Sequence, residues 1–157
     1  MADERRKEPK GLHVQMFSGA QASLALTQEI SAELMSVAFY GMSMGDEPLL
    51  QRAGVFVSRK TAEYRFRKLR RKVASYIGKR KALVEIGNRY LSARGAETVT
   101  LQADYGLSAC TADSDARHAN TGWDEHMSDA YERMQASIEA VEADVSRCQD
   151  LLIALPA

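Results

Sequence analysis

The sequence lacks the short motifs by which enzymes and metalloproteins are usually recognised. Its 157 residues include only two cysteines, Cys110 and Cys148, too few for a disulfide framework or a zinc site. It contains no glycine-rich phosphate loop and no nucleophile–histidine pairing at a recognisable spacing. We therefore expect no catalytic residue, no cofactor and no resident metal, and a protein that is not an enzyme.

Helix-breaking and aromatic residues are also scarce. The three prolines, Pro9, Pro48 and Pro156, lie near the edges of organised segments, and aromatic residues make up only 7% of the chain. Alanine, leucine, methionine, glutamate and arginine, which are strong helix formers, are plentiful. Two long intervals without proline therefore favour an all-α fold.

Long apolar runs are missing as well, since no stretch approaches the roughly 18–20 residues of a membrane span. The first residues, MADERRKEPKG, are polar and lack the apolar core of a signal peptide. The expected location is the cytoplasm, with export that needs no classical signal as the alternative. No membrane partner is expected, although the methionine-rich segment 16–44 could dock a partner helix or a lipid surface instead of lying inside a bundle.

Two segments carry a sustained heptad pattern, in which apolar residues recur at alternating spacings of four and three. In the first segment Arg80 and Gly87 interrupt the apolar pattern. The first seam comprises Ala62, Phe66, Leu69, Val73, Tyr76, Arg80, Leu83, Gly87 and Tyr90. The second comprises Met127, Tyr131, Met134, Ile138, Val141, Val145, Cys148, Leu152 and Leu155.

These patterns predict an elongated helical bundle or coiled-coil hairpin of three main helices. We place a flexible polar tail at residues 1–15 and a single helical domain at 16–157. The helices are expected at about 16–44, 48–94 and 122–155, with a long loop at about 95–121. Whether the second helix continues through Gly78 or bends there is left open by the sequence.

Charge is balanced in total, with 21 basic and 21 acidic residues, but it is distributed unevenly. Residues 1–95 hold 18 basic and 9 acidic side chains, and residues 96–157 hold 3 and 12. The basic charge is concentrated in Arg59–Lys81, where Glu63 is the one acid among eleven basic residues. These are Arg59, Lys60, Arg65, Arg67, Lys68, Arg70, Arg71, Lys72, Lys79, Arg80 and Lys81. They could bind nucleic-acid phosphates or pair with the acidic last helix, and we expect that helix to cover them only in part.

The remaining cluster of reactive side chains lies in the segment 110–126. It contains Cys110, Asp113, Asp115, His118, Asp124 and His126. A calcium loop starting at Asp113 would need glycine and glutamate where His118 and Asp124 stand. A solvated acidic loop is therefore the favoured interpretation, and a weak metal site or an enzyme centre is the alternative.

The sequence favours a non-enzymatic helical assembly or adaptor protein that acts through coiled-coil contacts with protein partners. A homo-oligomer is expected, in a role such as a secretion accessory, a chaperone or a structural subunit. The alternative hypothesis is a nucleic-acid-binding protein that uses the basic helix Arg59–Lys81.

Overall fold

Three long α-helices form the fold in a computed structural model, which describes residues 9–42, 49–102, 105 and 123–156. Side chains are described for all of these except residues 36–42, 49–60, 62 and 123–127. Helix α1 spans Leu12–Met42, α2 spans Leu49–Ala93 and α3 spans Trp123–Ile153. The all-α, three-helix prediction is confirmed, and no strand occurs among the described residues.

Helix α1 begins four residues before the start predicted from the sequence. Gly11 has a φ of +74°, a left-handed conformation that suits glycine, and the amide of Leu12 donates to the carbonyl of Pro9 at 3.1 Å. Leu12 and Met16 are both buried in the core. Residues assigned to a polar tail therefore contribute the first turn of a packed helix.

Helix α2 is continuous from Leu49 to Ala93 over 45 residues, so Gly78 does not interrupt it. At a rise of 1.5 Å per residue, the helix is about 67 Å long. Its residues 66–91 pack against both other helices, and this packing offsets the weak helix propensity of glycine. The break that the sequence left open at this position is therefore absent.

The helices pack with α2 and α3 running parallel and α1 antiparallel to both. Phe66 packs against Tyr131, Arg80 binds Glu142, and Gly87 lies against Cys148, so sequence numbers rise together along α2 and α3. Between α1 and α2, sequence numbers rise in opposite directions, since Met16 is near Gly87 and Glu29 pairs with Lys72. Of the two arrangements that the sequence left open, a bundle or a coiled-coil hairpin, the parallel direction of α2 and α3 corresponds to the bundle.

The long connection between α2 and α3 explains this direction, because parallel helices need a return crossover. After Ala93 the chain turns at Gly95, which has a φ of +67°. The side-chain amide of Asn88 then holds both backbone groups of Val99, at 2.8 and 2.9 Å. Farther along, buried Tyr105 packs in the core cluster at the other end of the bundle. The described part of the segment thus runs back along the bundle.

The core consists of two apolar clusters stacked along the bundle axis. One cluster is formed by Leu26 and Ile30 of α1 with residues 66–77 of α2 and 131–141 of α3. The other is formed by Leu12 and Met16 with residues 83–91 and 145–152, and it includes Val99. Arg80 lies between these two clusters.

Candidate interaction surfaces

Arg80, which interrupts the first heptad seam, ties all three helices together. Its guanidinium donates to the carbonyl oxygens of Gln15 and Met16 on α1, at 2.9 and 2.8 Å. It also binds both carboxylate oxygens of Glu142 on α3, at 2.6 and 2.9 Å. The Arg80 side chain is only 6% exposed. Burying its charge alone would be costly, and the Glu142 carboxylate together with the two carbonyl oxygens offsets that cost. A single polar group at a seam specifies the alignment of the helices.

Two neighbours complete this polar layer. The hydroxyl of Tyr76 donates to Glu142 and lies 2.7 Å from the carbonyl oxygen of Gly19. Burial, and then the adjacent Glu142 carboxylate, raise the pKa of Tyr76 well above its usual value, so the phenol stays protonated. Gly19 has no side chain, and a Cβ there would overlap the guanidinium of Arg80. The layer therefore requires glycine at this position of α1.

The predicted seam residues lie mostly in the core of the chain itself. Tyr76, Tyr90 and Leu155 are half-buried, and the side chains of Ala62 and Met127 lie outside the described residues. The apolar seam residues that are buried are Phe66, Leu69, Val73, Leu83, Tyr131, Met134, Ile138, Val141, Val145, Cys148 and Leu152. The seams thus pack against each other and α1 within one chain.

A second buried row on α2, which the predicted seam does not include, is made of Ile77, Val84 and Leu91 at intervals of seven. These residues lie beside the predicted seam because α2 contacts two helices and so needs a wider apolar stripe. The interval of seven was visible in the sequence, and it is the signal that could have identified this row.

The basic residues of α2 divide into a paired group and an exposed group. Arg70 is buried with its guanidinium 5.3 Å from the centre of the Phe66 ring, and Lys81 is half-buried and interacts within the fold. Arg59 and Lys60 lie in α2, with side chains outside the described residues. Within Arg59–Lys81, the exposed basic residues are Arg65, Arg67, Lys68, Arg71, Lys72 and Lys79.

The acidic residues of α3 do not neutralise this exposed group. Arg80 pairs with Glu142 of α3, whereas Lys72 pairs with Glu29 of α1 at 3.2 Å. Asp144 is buried and accepts a hydrogen bond from Tyr105 at 2.5 Å. The exposed acids of α3 are Asp129, Glu132, Glu139 and Asp150. Within the described residues, α3 therefore covers only part of the basic charge of α2.

A second exposed surface lies on α1 and is apolar. We define the outer face of α1 as the row that runs opposite its buried side, at alternating spacings of three and four residues. Its members are Val14, Phe17, Gln21, Leu24, Gln28, Ser31 and Met35, all exposed. The four large apolar side chains, Val14, Phe17, Leu24 and Met35, are 71, 71, 60 and 75% exposed. No residue between Gly11 and Gln28 is acidic or carries a lysine or arginine side chain.

The described residues offer little reactive chemistry. Within them, no three histidine, cysteine or carboxylate side chains come together as metal ligands. All side chains of the predicted acidic segment 110–126 lie outside the described ones. Cys148 is a buried free thiol, and burial raises its pKa to about 11, so it is a poor nucleophile at neutral pH. The candidate functional features are therefore two surfaces, the outer face of α1 and the basic face of α2.

Comparison with protein-family models, with curated proteins and with solved structures finds no significant match to this chain. Of the three helices, none has a described stretch that is long and apolar enough to cross a bilayer.

Proposed function

We propose that this protein is a non-enzymatic helical assembly protein that self-associates through the outer face of α1. The observation that carries the proposal is the row of four large apolar side chains, 60–75% exposed on an uncharged helical face. Soluble proteins rarely leave contiguous apolar surface uncovered unless it serves an interaction. The heptad seams of α2 and α3 are used inside the bundle, whereas the outer face of α1 is an apolar surface that the described residues leave uncovered.

The chemistry of this face favours a second copy of the same chain. A two-fold interface brings the same surface of both subunits together, so charged residues would often meet like charges. The row offers apolar side chains and the amide groups of Gln21 and Gln28, whereas the hydroxyl of Ser31 already accepts a hydrogen bond from Gln135 of α3 at 3.1 Å. Its spacing of three and four matches the seam of paired helices. An antiparallel pair centred near Leu24 would bring Val14 of one copy close to Met35 of the other.

The available apolar surface corresponds to a weak, concentration-dependent dimer. Full burial of one such side chain is worth about 1.5–3 kcal/mol, so each of the four, already partly covered, would contribute about 1–2 kcal/mol. Both copies together would then gain on the order of 10 kcal/mol. Association itself costs about 4–15 kcal/mol in lost freedom. We therefore expect the dimer to dissociate upon dilution rather than to be permanent.

The test is the solution mass, measured by analytical ultracentrifugation as a function of protein concentration. The wild-type protein should dimerise in both low and 1 M salt, because screening weakens charge pairs and not apolar contacts. Phe17→Asp/Leu24→Asp should raise the dimer dissociation constant at least 100-fold, about 2.7 kcal/mol. Its helical content should be unchanged, since both side chains are exposed.

Ile153→Asp is the matched control, because Ile153 is 67% exposed and belongs to α3 rather than to the outer face of α1. It should leave the dimer intact. The proposal fails if the wild-type protein is a monomer at 100 µM, a concentration of about the order that a weak dimer requires. It fails equally if Ile153→Asp dissociates the dimer as much as the α1 variant does.

A further inference from the structure

The basic face of α2 is the strongest charged surface in the described part of the chain. We define it as the exposed residues between Tyr64 and Lys79, a stretch in which the sequence contains no acidic residue. Its basic members are Arg65, Arg67, Lys68, Arg71, Lys72 and Lys79. At 1.5 Å per residue, Arg65 and Lys79 lie about 21 Å apart along the helix. A row of cations of this length matches an extended polyanion better than a single small anion.

Within the described part of the chain, the charges of this face are mostly without an ion-pair partner. Lys72 pairs with Glu29 at 3.2 Å, but this pair is well exposed and therefore weak. For the other five members, no carboxylate of the described residues forms an ion pair. Repulsion among them gives no benefit to folding. A partner that brings negative charge would relieve this repulsion.

An aromatic side chain lies at the N-terminal end of the same face. Tyr64 is 68% exposed, and Arg67, Lys68 and Arg71 follow it by three, four and seven residues, which places all four on one side of the helix. An isolated exposed tyrosine on a surface needs no explanation. Among clustered cations, however, an exposed ring provides a platform on which an unpaired base can stack.

We infer that the basic face of α2 binds single-stranded nucleic acid, with its arginine and lysine side chains on the phosphates and Tyr64 stacked on a base. Paired bases inside a duplex would not be available to the Tyr64 ring. A lipid surface fits less well, because an interfacial helix needs an apolar face beside its charges. The large apolar side chains of α2 around these charges are buried: Phe66, Leu69, Val73 and Ile77.

Fluorescence anisotropy with labelled 20-nucleotide DNA and RNA single strands, the matching DNA duplex and anionic vesicles would test the inference. Both single strands should bind more tightly than the duplex and the vesicles. If about four phosphates are contacted, log K should fall with log salt at a slope near −2.8. Between 50 and 200 mM salt the affinity should therefore fall about 50-fold. Tyr64→Ala should weaken single-strand binding several-fold while leaving this slope unchanged.

Arg67→Glu/Arg71→Glu should lower single-strand affinity at least tenfold and make the salt slope shallower. Arg133→Glu/Arg147→Glu is the matched control, since it reverses the same two charges at exposed positions of α3. This control should bind almost as the wild type does, and so should the α1 variant Phe17→Asp/Leu24→Asp. The last result separates this inference from the proposed self-association.

Several outcomes would overturn the inference. They are the absence of single-strand binding at 50 mM salt, equal losses in the two charge-reversal pairs, and tighter binding to the duplex or to vesicles. Wild-type affinity in Tyr64→Ala would refute base stacking and with it the single-strand assignment. Circular dichroism of each variant would verify that the helical bundle is retained, so that lost binding is attributable to the surface.

Discussion

The polar layer around Arg80 leads to a prediction about a glycine in the middle of a helix. In an ordinary helix interior, replacing glycine by alanine stabilises the protein by about 1 kcal/mol. At Gly19 the added Cβ would overlap the guanidinium of Arg80, which must then leave its partners on α1 and Glu142. Gly19→Ala should therefore destabilise the bundle.

The magnitude follows from what the displaced guanidinium loses. Breaking a buried ion pair costs about 3–5 kcal/mol, and the helix propensity of alanine returns about 1 kcal/mol. A net loss of about 2–4 kcal/mol is expected. In an Arg80→Ala background the space beside Gly19 is vacant, so Gly19→Ala should there stabilise by about 1 kcal/mol. The coupling energy between the two substitutions should thus be about 3 kcal/mol or more.

Urea denaturation followed by circular dichroism would measure these differences as shifts of the midpoint at constant slope. Gly78→Ala is the matched control, because a Cβ at that position of α2 meets nothing within 4 Å. This substitution should stabilise the protein by about 1 kcal/mol. If Gly19→Ala stabilises the wild-type protein as much as Gly78→Ala does, or if the effects of Gly19→Ala and Arg80→Ala add, the layer does not act as described.

Two further predictions concern buried groups of α3. The hydroxyl of Tyr131 has no hydrogen-bond partner among the described residues, so Tyr131→Phe should stabilise the protein by about 1 kcal/mol in urea denaturation. Burial raises the pKa of Tyr131, and the negative charge of Glu33 raises it further. The protonated phenol therefore stabilises the folded state fully below pH 10, and this contribution declines as the pH rises further. As the pH rises above 10, the Tyr131→Phe variant should therefore lose less stability than the wild-type protein. Equal losses in the two proteins would contradict this prediction. The reactivity of Cys148 can be measured with a disulfide reagent at pH 8 in a Cys110→Ala variant. Cys148 should react far more slowly in the native protein than in urea, because burial raises its pKa to about 11. Equal rates would show that the thiol is accessible.

Much of the fold could be predicted from the sequence because helix formation and burial are local, periodic properties. The heptad spacing of Tyr131, Ile138 and Val145 predicted α3 and its buried side, and α3 ends at Ile153, close to the predicted end. For α2, the same spacing placed Phe66 and Val73 in the core. The start of α1 was predicted too late, since Leu12 is buried only by contacts with residues distant in sequence.

The sequence by itself also determined where charge is concentrated, and this concentration identified Arg59–Lys81 as a candidate site. It did not determine which of those charges are exposed. Arg70 and Arg80 lie among apolar neighbours, whereas Arg67 and Arg71 face solvent. Period and charge are properties of one segment, but exposure depends on which neighbouring helices cover which side.

Only the tertiary structure decided how the helices are oriented and which apolar surface remains uncovered. A heptad seam can pack in parallel or antiparallel pairs, and the structure shows that α3 runs parallel to α2. The apolar character of α1 is evident in the sequence, yet burial of Leu26 and Ile30 and exposure of Phe17 and Leu24 follow from its docking against α2 and α3. Local sequence sets the period of a helix, whereas the side that it buries and its direction depend on contacts between residues far apart in the chain.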